Sequence, residues 1–287
     1  MIRSSRATVL LAALTTSLFA CGASEEDVGN GSADLTSGAV DRDHTGVVKI
    51  YIHKRDATGA LVAGPTASGF LVTPTLVVTA RHVVSFLGAP TATCPLGTTT
   101  PPTPDLPTRL LVTNALTPED DLRSANVKAI FVPPQTDGVD ICGNDLAVIE
   151  LAAPIPGAVL IAPRLDAAPV VGAPLTLSSY GTTGPSTEPS KTRLERTVKV
   201  MDLEHSDGAE AFKFLPAKEL ATTGACPGDS GGPALGSDGR AIGVSSRGEQ
   251  TCTVAIYARL DVAAAWLRSQ AVGASNRAGT AIPPWAK

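Results

Sequence analysis

The hexapeptide Gly228-Asp229-Ser230-Gly231-Gly232-Pro233 joins a serine hydroxyl to glycine-rich backbone, the combination that acyl transfer needs: a nucleophile, and amide N–H groups able to approach an oxyanion. A serine hydroxyl is a weak nucleophile at neutral pH, so it requires a base to take its proton and a third group to orient that base. Of the four histidines, His82 is the candidate base. It follows Leu76-Val77-Val78-Thr79-Ala80 and Arg81, so its imidazole emerges where an apolar strand ends, a rigid place from which to act. His44 borders a polar segment, and His53 and His205 lie among charged residues, where solvated side chains are expected. Asp145 is the candidate orienter. It heads the apolar run Leu146-Ala147-Val148-Ile149, where a carboxylate costs on the order of several kcal/mol unless a donor such as a histidine N–H meets it.

The elements that must carry these groups read as β-structure. β-branched, strand-length runs separated by turn residues stand at 47–52, 69–72, 76–79, 109–112, 127–132 and 146–151. After Pro154-Ile155-Pro156-Gly157 a second set follows at 175–178, 196–200, 212–215, 241–245 and 255–260. Two strand sets across a Pro/Gly linker predict two barrels or sandwiches. Asp261 followed by the apolar-periodic stretch 262–270 predicts one helix with the aspartate as its cap. Residues 90–108, rich in Thr and Pro and containing Cys94, read as a long surface loop.

The N-terminal residues address the chain. Arg3 and Arg6 precede an apolar run over 7–20 that is too short to span a bilayer, the layout of a secretory signal over residues 1–20. Leu18-Phe19-Ala20-Cys21 resembles a bacterial lipobox, which implies lipidation of Cys21 and, with Gly22 after it, an outer-membrane lipoprotein; a plain signal peptide would instead leave Cys21 spare and the protein periplasmic or extracellular. Residues 21–38, small and polar, read as a flexible tether. A net charge of -4 without a Lys/Arg cluster argues against nucleic acid or an acidic membrane surface as partner. Besides Cys21, the cysteines at 94, 142, 226 and 252 fall in an oxidising compartment and allow three disulfide connectivities. None stands at metal-ligand spacing and the histidines are scattered, so no metal is expected.

In the order His, Asp, Ser, the segments Val78-Thr79-Ala80-Arg81-His82, Gly143-Asn144-Asp145-Leu146-Ala147-Val148 and Gly228-Asp229-Ser230-Gly231-Gly232-Pro233 resemble the chymotrypsin/trypsin family of serine proteases. The likeness takes in Ser178-Ser179-Tyr180-Gly181 and the C-terminal strands and helix, residues 40–271 in all. It implies an all-β fold of two six-stranded antiparallel barrels, near 40–155 and 160–260, a C-terminal α-helix over 261–271 and a tail over 272–287. The implied roles are Ser230 as nucleophile, His82 as general base then acid, Asp145 as orienter, and the amides of Gly228 and Ser230 as oxyanion hole. No metal or organic cofactor is implied, and the expected partners are protein or peptide substrates of a monomer touching the membrane only through Cys21.

The same resemblance implies a Cys226–Cys252 disulfide beside the pocket and, with it, Cys94 to Cys142. It places the pocket floor at Gly224, the walls at Gly248 and Ala255, and a substrate-binding strand at Ser245, Ser246, Arg247 and Gly248. Without an acid at the floor, cleavage after Arg or Lys is not expected, and an apolar P1 residue is. Arg247 replaces an aromatic residue and is expected to favour acidic residues further from the cut. Family members are activated when a new N-terminus reaches the residue that is Asp229 here, but this sequence has no Ile-Val-Gly-Gly. Either a cut after Gly38 frees Ala39, or Asp229 is satisfied otherwise. The competing reading is a catalytically silent or zymogen-like homologue that serves as a binding module.

Overall fold

The apolar runs of the first half close on themselves. A computed structural model describes residues 38–55, 57–86, 103–104, 110–116, 124–134, 142–183, 190–203, 217–249 and 251–287. The expected signal segment with Cys21, the tether up to residue 37, Cys94, His205 and the expected strand at 212–215 lie outside the described residues. The first half carries β1 (Ala39–Val40), β2 (Val47–Arg55), β3 (Leu61–Thr73), β4 (Leu76–Thr79), β5 (Ser85–Phe86), β6 (Thr103–Pro104), β7 (Leu110–Thr113), β8 (Ser124–Phe131) and β9 (Ala147–Leu151). The second carries β10 (Pro174–Ser179), β11 (Leu194–Lys199), β12 (Glu219–Thr222), β13 (Pro233–Gly236), β14 (Ala241–Gly248), β15 (Ala255–Arg259) and the helix α1 (Ala264–Ala278).

Strands β2-β3-β4-β9-β8-β7 form a closed antiparallel barrel around Ile50, Phe70, Leu76, Val78, Val112 and Ile149. β4 is buried along its whole length, as a continuous apolar run requires, and so is β9, whose one charged residue, Glu150, is met by Lys128 and Arg277; the start of β8 alternates exposed and buried residues with the period of a strand wet on one face. The second half forms an antiparallel sheet in the order β11-β10-β13-β14-β15-β12, with β1 added beside β11. Its far ends meet through Met201 N–H to Ala221 O at 2.9 Å and Ala221 N–H to Asp202 O at 2.9 Å. A closed barrel, a second curled sheet and a single C-terminal helix make the expected double-barrel architecture. Strands β12 and β13 escape a sequence reading because one opens on a glutamate and the other is Pro233-Ala234-Leu235-Gly236, neither showing a β-branched run.

The C-terminus departs from expectation. Asp261 caps no helix: Arg259 holds its carboxylate at 3.1 and 2.6 Å, and a 3-10 turn over Asp261–Ala263 leads into α1. The helix continues past residue 271 to Ala278, where Gly279 ends it in the left-handed region at φ 63°. Residues 272–287 are no trailing tail. Ala274 and Ala286 are buried in the same apolar cluster as Leu267, Ala271 and the barrel residues Phe70 and Leu71, and Arg277 binds Glu150 of β9 at 2.8 Å.

Candidate active site

Pairing fixes two of the expected residues. Thr79 at the end of β4 lies opposite Ala147 at the start of β9, so the segments flanking these strands leave the barrel side by side. One carries a single 3-10 turn, Arg81–Val83, and the other carries Asp145. The His82 Nδ1 stands 2.8 Å from Asp145 Oδ2, and the His82 amide donates to Asp145 Oδ1 at 2.9 Å. The Ser246 hydroxyl donates to the same Oδ2 at 2.6 Å, so Asp145 is fully buried with both oxygens engaged. Burial alone would push this carboxyl up. The His82 charge, with hydrogen bonds from the His82 ring, the Ser246 hydroxyl and the His82 amide, outweighs it and holds Asp145 below the ordinary carboxylate range.

Ser230 sits on a tight turn pressed against the same place. Gly231 adopts φ 83°, and a Cβ there would lie 2.1 Å from Thr79 Oγ1 and 2.2 Å from Ser68 O, so only glycine lets the turn reach the end of β4. Ser68 N–H donates to Ser230 O at 2.8 Å, and Gly231 N–H to Ser245 O at 2.8 Å. The turn is thereby stitched to β3 on one side and β14 on the other. Gly228 is also left-handed, at φ 92°. Among the described residues no acceptor takes up the amides of Gly228 or Ser230, while those of Asp229, Gly231 and Gly232 are all donated internally. This leaves a pair of N–H groups available to a developing anion.

Asp229 has an internal counter-ion, Arg196 of β11, at 3.6 Å. The Ser179 hydroxyl donates to its Oδ1 and the Cys226 amide to its Oδ2 at 2.6 Å; Gly181 is obligatory, since a Cβ there would come within 1.9 Å of Oδ1. Burial pushes the Asp229 carboxyl up, against the opposing pull of Arg196 and these donors. Ala39 and Val40 do not reach it. They pair with Glu195 and Leu194 along β11 and are exposed, anchored by the next residue: Asp41 Oδ2 lies 3.3 Å from Arg193 Nε, and Asp41 Oδ1 accepts the Asp43 and His44 amides at 3.0 Å each. Asp41, His44 and Glu195 cluster at metal-ligand distances, but these contacts and the Ser178 hydroxyl already occupy Asp41 on both oxygens. Neither Arg196 nor Arg193 stood out in the sequence. The available signal was Arg196 itself, in register with Leu194 and Val198 on the face of β11 that turns inward.

The remaining site residues fall around this turn. Cys226 and Cys252 form a disulfide, Gly224 N–H donates to Cys252 O at 2.9 Å, and Arg196 Nη1 donates to Gly224 O, so a cation lies under the expected floor. Cys142 is also disulfide-bonded; Cys94, its expected partner, lies outside the described residues. Ser245 and Ala255 are buried, and Gly248 is kept small by Val254 O, 2.5 Å from where a Cβ would be. Arg247 does not offer its charge to a ligand. Its guanidinium is buried and bidentate with Glu219, at 2.6 and 2.8 Å, which corrects the expectation that it recruits acidic residues.

Solved structures share this fold. Mouse brain neuropsin, a serine protease, superposes with a TM-score of 0.59 at 17% identity, over 81% of this chain and 97% of its own. The scabies mite inactivated protease paralogue S-D1 gives 0.63 at 18%, over 83% and 97%, and human heparin binding protein 0.59 at 16%, over 81% and 94%. No curated protein matches the sequence. The family model described as trypsin matches residues 37–267, and the chain belongs to the trypsin family.

Proposed function

We propose that the protein is a serine endopeptidase acting on protein or peptide substrates through Ser230, His82 and Asp145. Ser230 Oγ attacks the scissile carbonyl while His82 takes its proton; the Gly228 and Ser230 amides receive the oxyanion, and His82 returns the proton to the leaving amine. The acyl-enzyme is then hydrolysed by a water that His82 activates in the same way. Asp145 holds the imidazole in the tautomer with hydrogen on Nδ1 and stabilises the imidazolium. The observation that carries this reading is the His82–Asp145 contact at 2.8 Å, aimed from the strand end against which the Ser230 turn is pressed.

Two finer proposals belong to it. Arg196 below Gly224 puts a positive charge where a basic P1 side chain would end, which favours cleavage after apolar residues. Arg196 also supplies the cation that Asp229 needs, so no cut at Ala39 is required for activity. Export and anchoring through Cys21 complete the reading. The inactive alternative draws on the scabies mite paralogue among the structural neighbours, a protein named as inactivated. A peptide-library profile of the purified chain tests the assignment: cleavage after Phe, Leu or Met, abolished in Ser230→Ala, is expected, whereas dominant cleavage after Arg or Lys contradicts the pocket and no cleavage supports the silent homologue.

A further inference from the structure

Arg247 and Glu219 face each other across β15: Arg247 pairs with Ile256 and Glu219 with Ala258. Both side chains are within 2% of complete burial. Desolvating two such ions costs several kcal/mol each, so a buried pair is weak evidence for stability, and well-packed apolar residues would hold the strands together about as well. The pair does something that apolar residues could not. Glu219 Oε1, besides receiving Arg247 Nη1, accepts the amide of Gly143 at 2.8 Å, reaching from the second sheet to the first-barrel segment that delivers Asp145. The next two residues of that segment are held from the same side: Lys218 Nζ lies 3.4 Å from Asn144 Oδ1, and the Ser246 hydroxyl donates to Asp145. Arg247 Nη1 also stands 3.5 Å from Ser246 Oγ, beside the donor that fixes Asp145 Oδ2.

We propose that the buried Glu219–Arg247 pair is a positioning device for the triad, tethering the Gly143-Asn144-Asp145 segment to the second sheet and thereby setting how Asp145 meets His82. The inference rests on the triad reading given above. In this role neither side chain is spent on substrate: Glu219 acts through the Gly143 amide, and Arg247 by holding the Glu219 carboxylate in place and donating to Ser246 Oγ. Its carboxylate geometry is what the tether needs, since an ion-paired oxygen is a stronger acceptor for the amide than a neutral one.

The test uses the full chain with Glu219→Gln and the double variant Glu219→Met/Arg247→Met, assayed with a succinyl-Ala-Ala-Pro-Phe p-nitroanilide substrate. Melting temperature, kcat and KM, the acid limb of the kcat/KM profile and the downfield His82 Nδ1–H proton resonance are recorded. The double variant is expected to melt within a few degrees of wild type, yet to lose about 10- to 100-fold in kcat at unchanged KM, as misplacement of a catalytic group does. Glu219→Gln is expected to lose about 3- to 10-fold in kcat, with a displaced acid limb and a shifted His82 resonance. A folded double variant with wild-type kcat and acid limb overturns the proposal, as does a rise in KM alone, which would make the pair a subsite. If the double variant does not fold, Glu219→Gln decides by the same criteria. Should wild type show no turnover, the endopeptidase reading fails, while the His82 resonance still tests the tether: a shift in Glu219→Gln supports it and an unmoved resonance overturns it.

Discussion

In the proposed reading, activity of the uncut chain depends on Arg196, whose charge opposes the burial that pushes the Asp229 carboxyl up. Arg196→Met leaves Asp229 buried without a cation, which should cost about 3–5 kcal/mol and disorder the turn bearing Gly228 and Ser230. The expected outcome is a lower denaturation midpoint together with slower fluorophosphonate labelling of Ser230; wild-type values of both would show that the hydrogen bonds from Ser179 and Cys226 suffice. The residues proposed to do chemistry were legible in the sequence because nucleophile, base and orienter each carry a recognisable neighbourhood. Their partners were not. Arg196 and Glu219 are ordinary charged residues in ordinary strands, and only the fold, which turns them inward, gives them a role. Arg247 shows the converse, a charge that looked available to ligands until Glu219 met it.

At the scale of elements, the short strand β1 is locked against β11 by a charged clasp. His44 Nδ1 lies 3.1 Å from Asp41 Oδ1 and 3.5 Å from Glu195 Oε2, while Arg193 approaches Asp41 from within. The hydrogen bond to Asp41, reinforced by the charges of Asp41 and Glu195 against burial and Arg193, raises the His44 pKa above its ordinary 6.5. A base whose folded pKa is raised contributes stability that is fully present below its unfolded pKa and is lost as pH rises through the folded value. His44→Gln should therefore be less stable than wild type near pH 5.5, with the difference vanishing in alkaline buffer; urea midpoints across pH check this. A constant difference would mean that the imidazole packs without carrying charge. Strand existence was readable wherever β-branched residues ran together, as in β4 and β9. It was not readable in β12 and β13, where pairing with β15 and with β10 and β14 imposes extended structure that local sequence does not request.

Across the whole molecule, the C-terminus ties the two halves together. The helix α1 follows the last strand of the second sheet, yet its buried face, Leu267, Ala271 and Ala274, joins the apolar cluster of the first barrel, and Arg277 grips Glu150. Arg268 donates to the Trp285 and Lys287 carbonyls, folding the final residues back onto the helix. A chain truncated after residue 271 should lose about 3 kcal/mol, lowering the melting temperature by roughly 6–12 °C, as calorimetry would show. An unchanged melting temperature would return these residues to the status of a tail. The double-barrel architecture brings His82 and Asp145 from one half to the turn bearing Ser230 from the other, and in the proposed reading the internal Arg196–Asp229 pair makes that site competent without a cut at Ala39. Intact-mass spectrometry after fluorophosphonate treatment of the chain, with the Gly38–Ala39 bond uncleaved, tests this most directly. A single adduct, mapped to Ser230 and absent from Ser230→Ala, is predicted; a folded, uncut chain that takes up no adduct would contradict it.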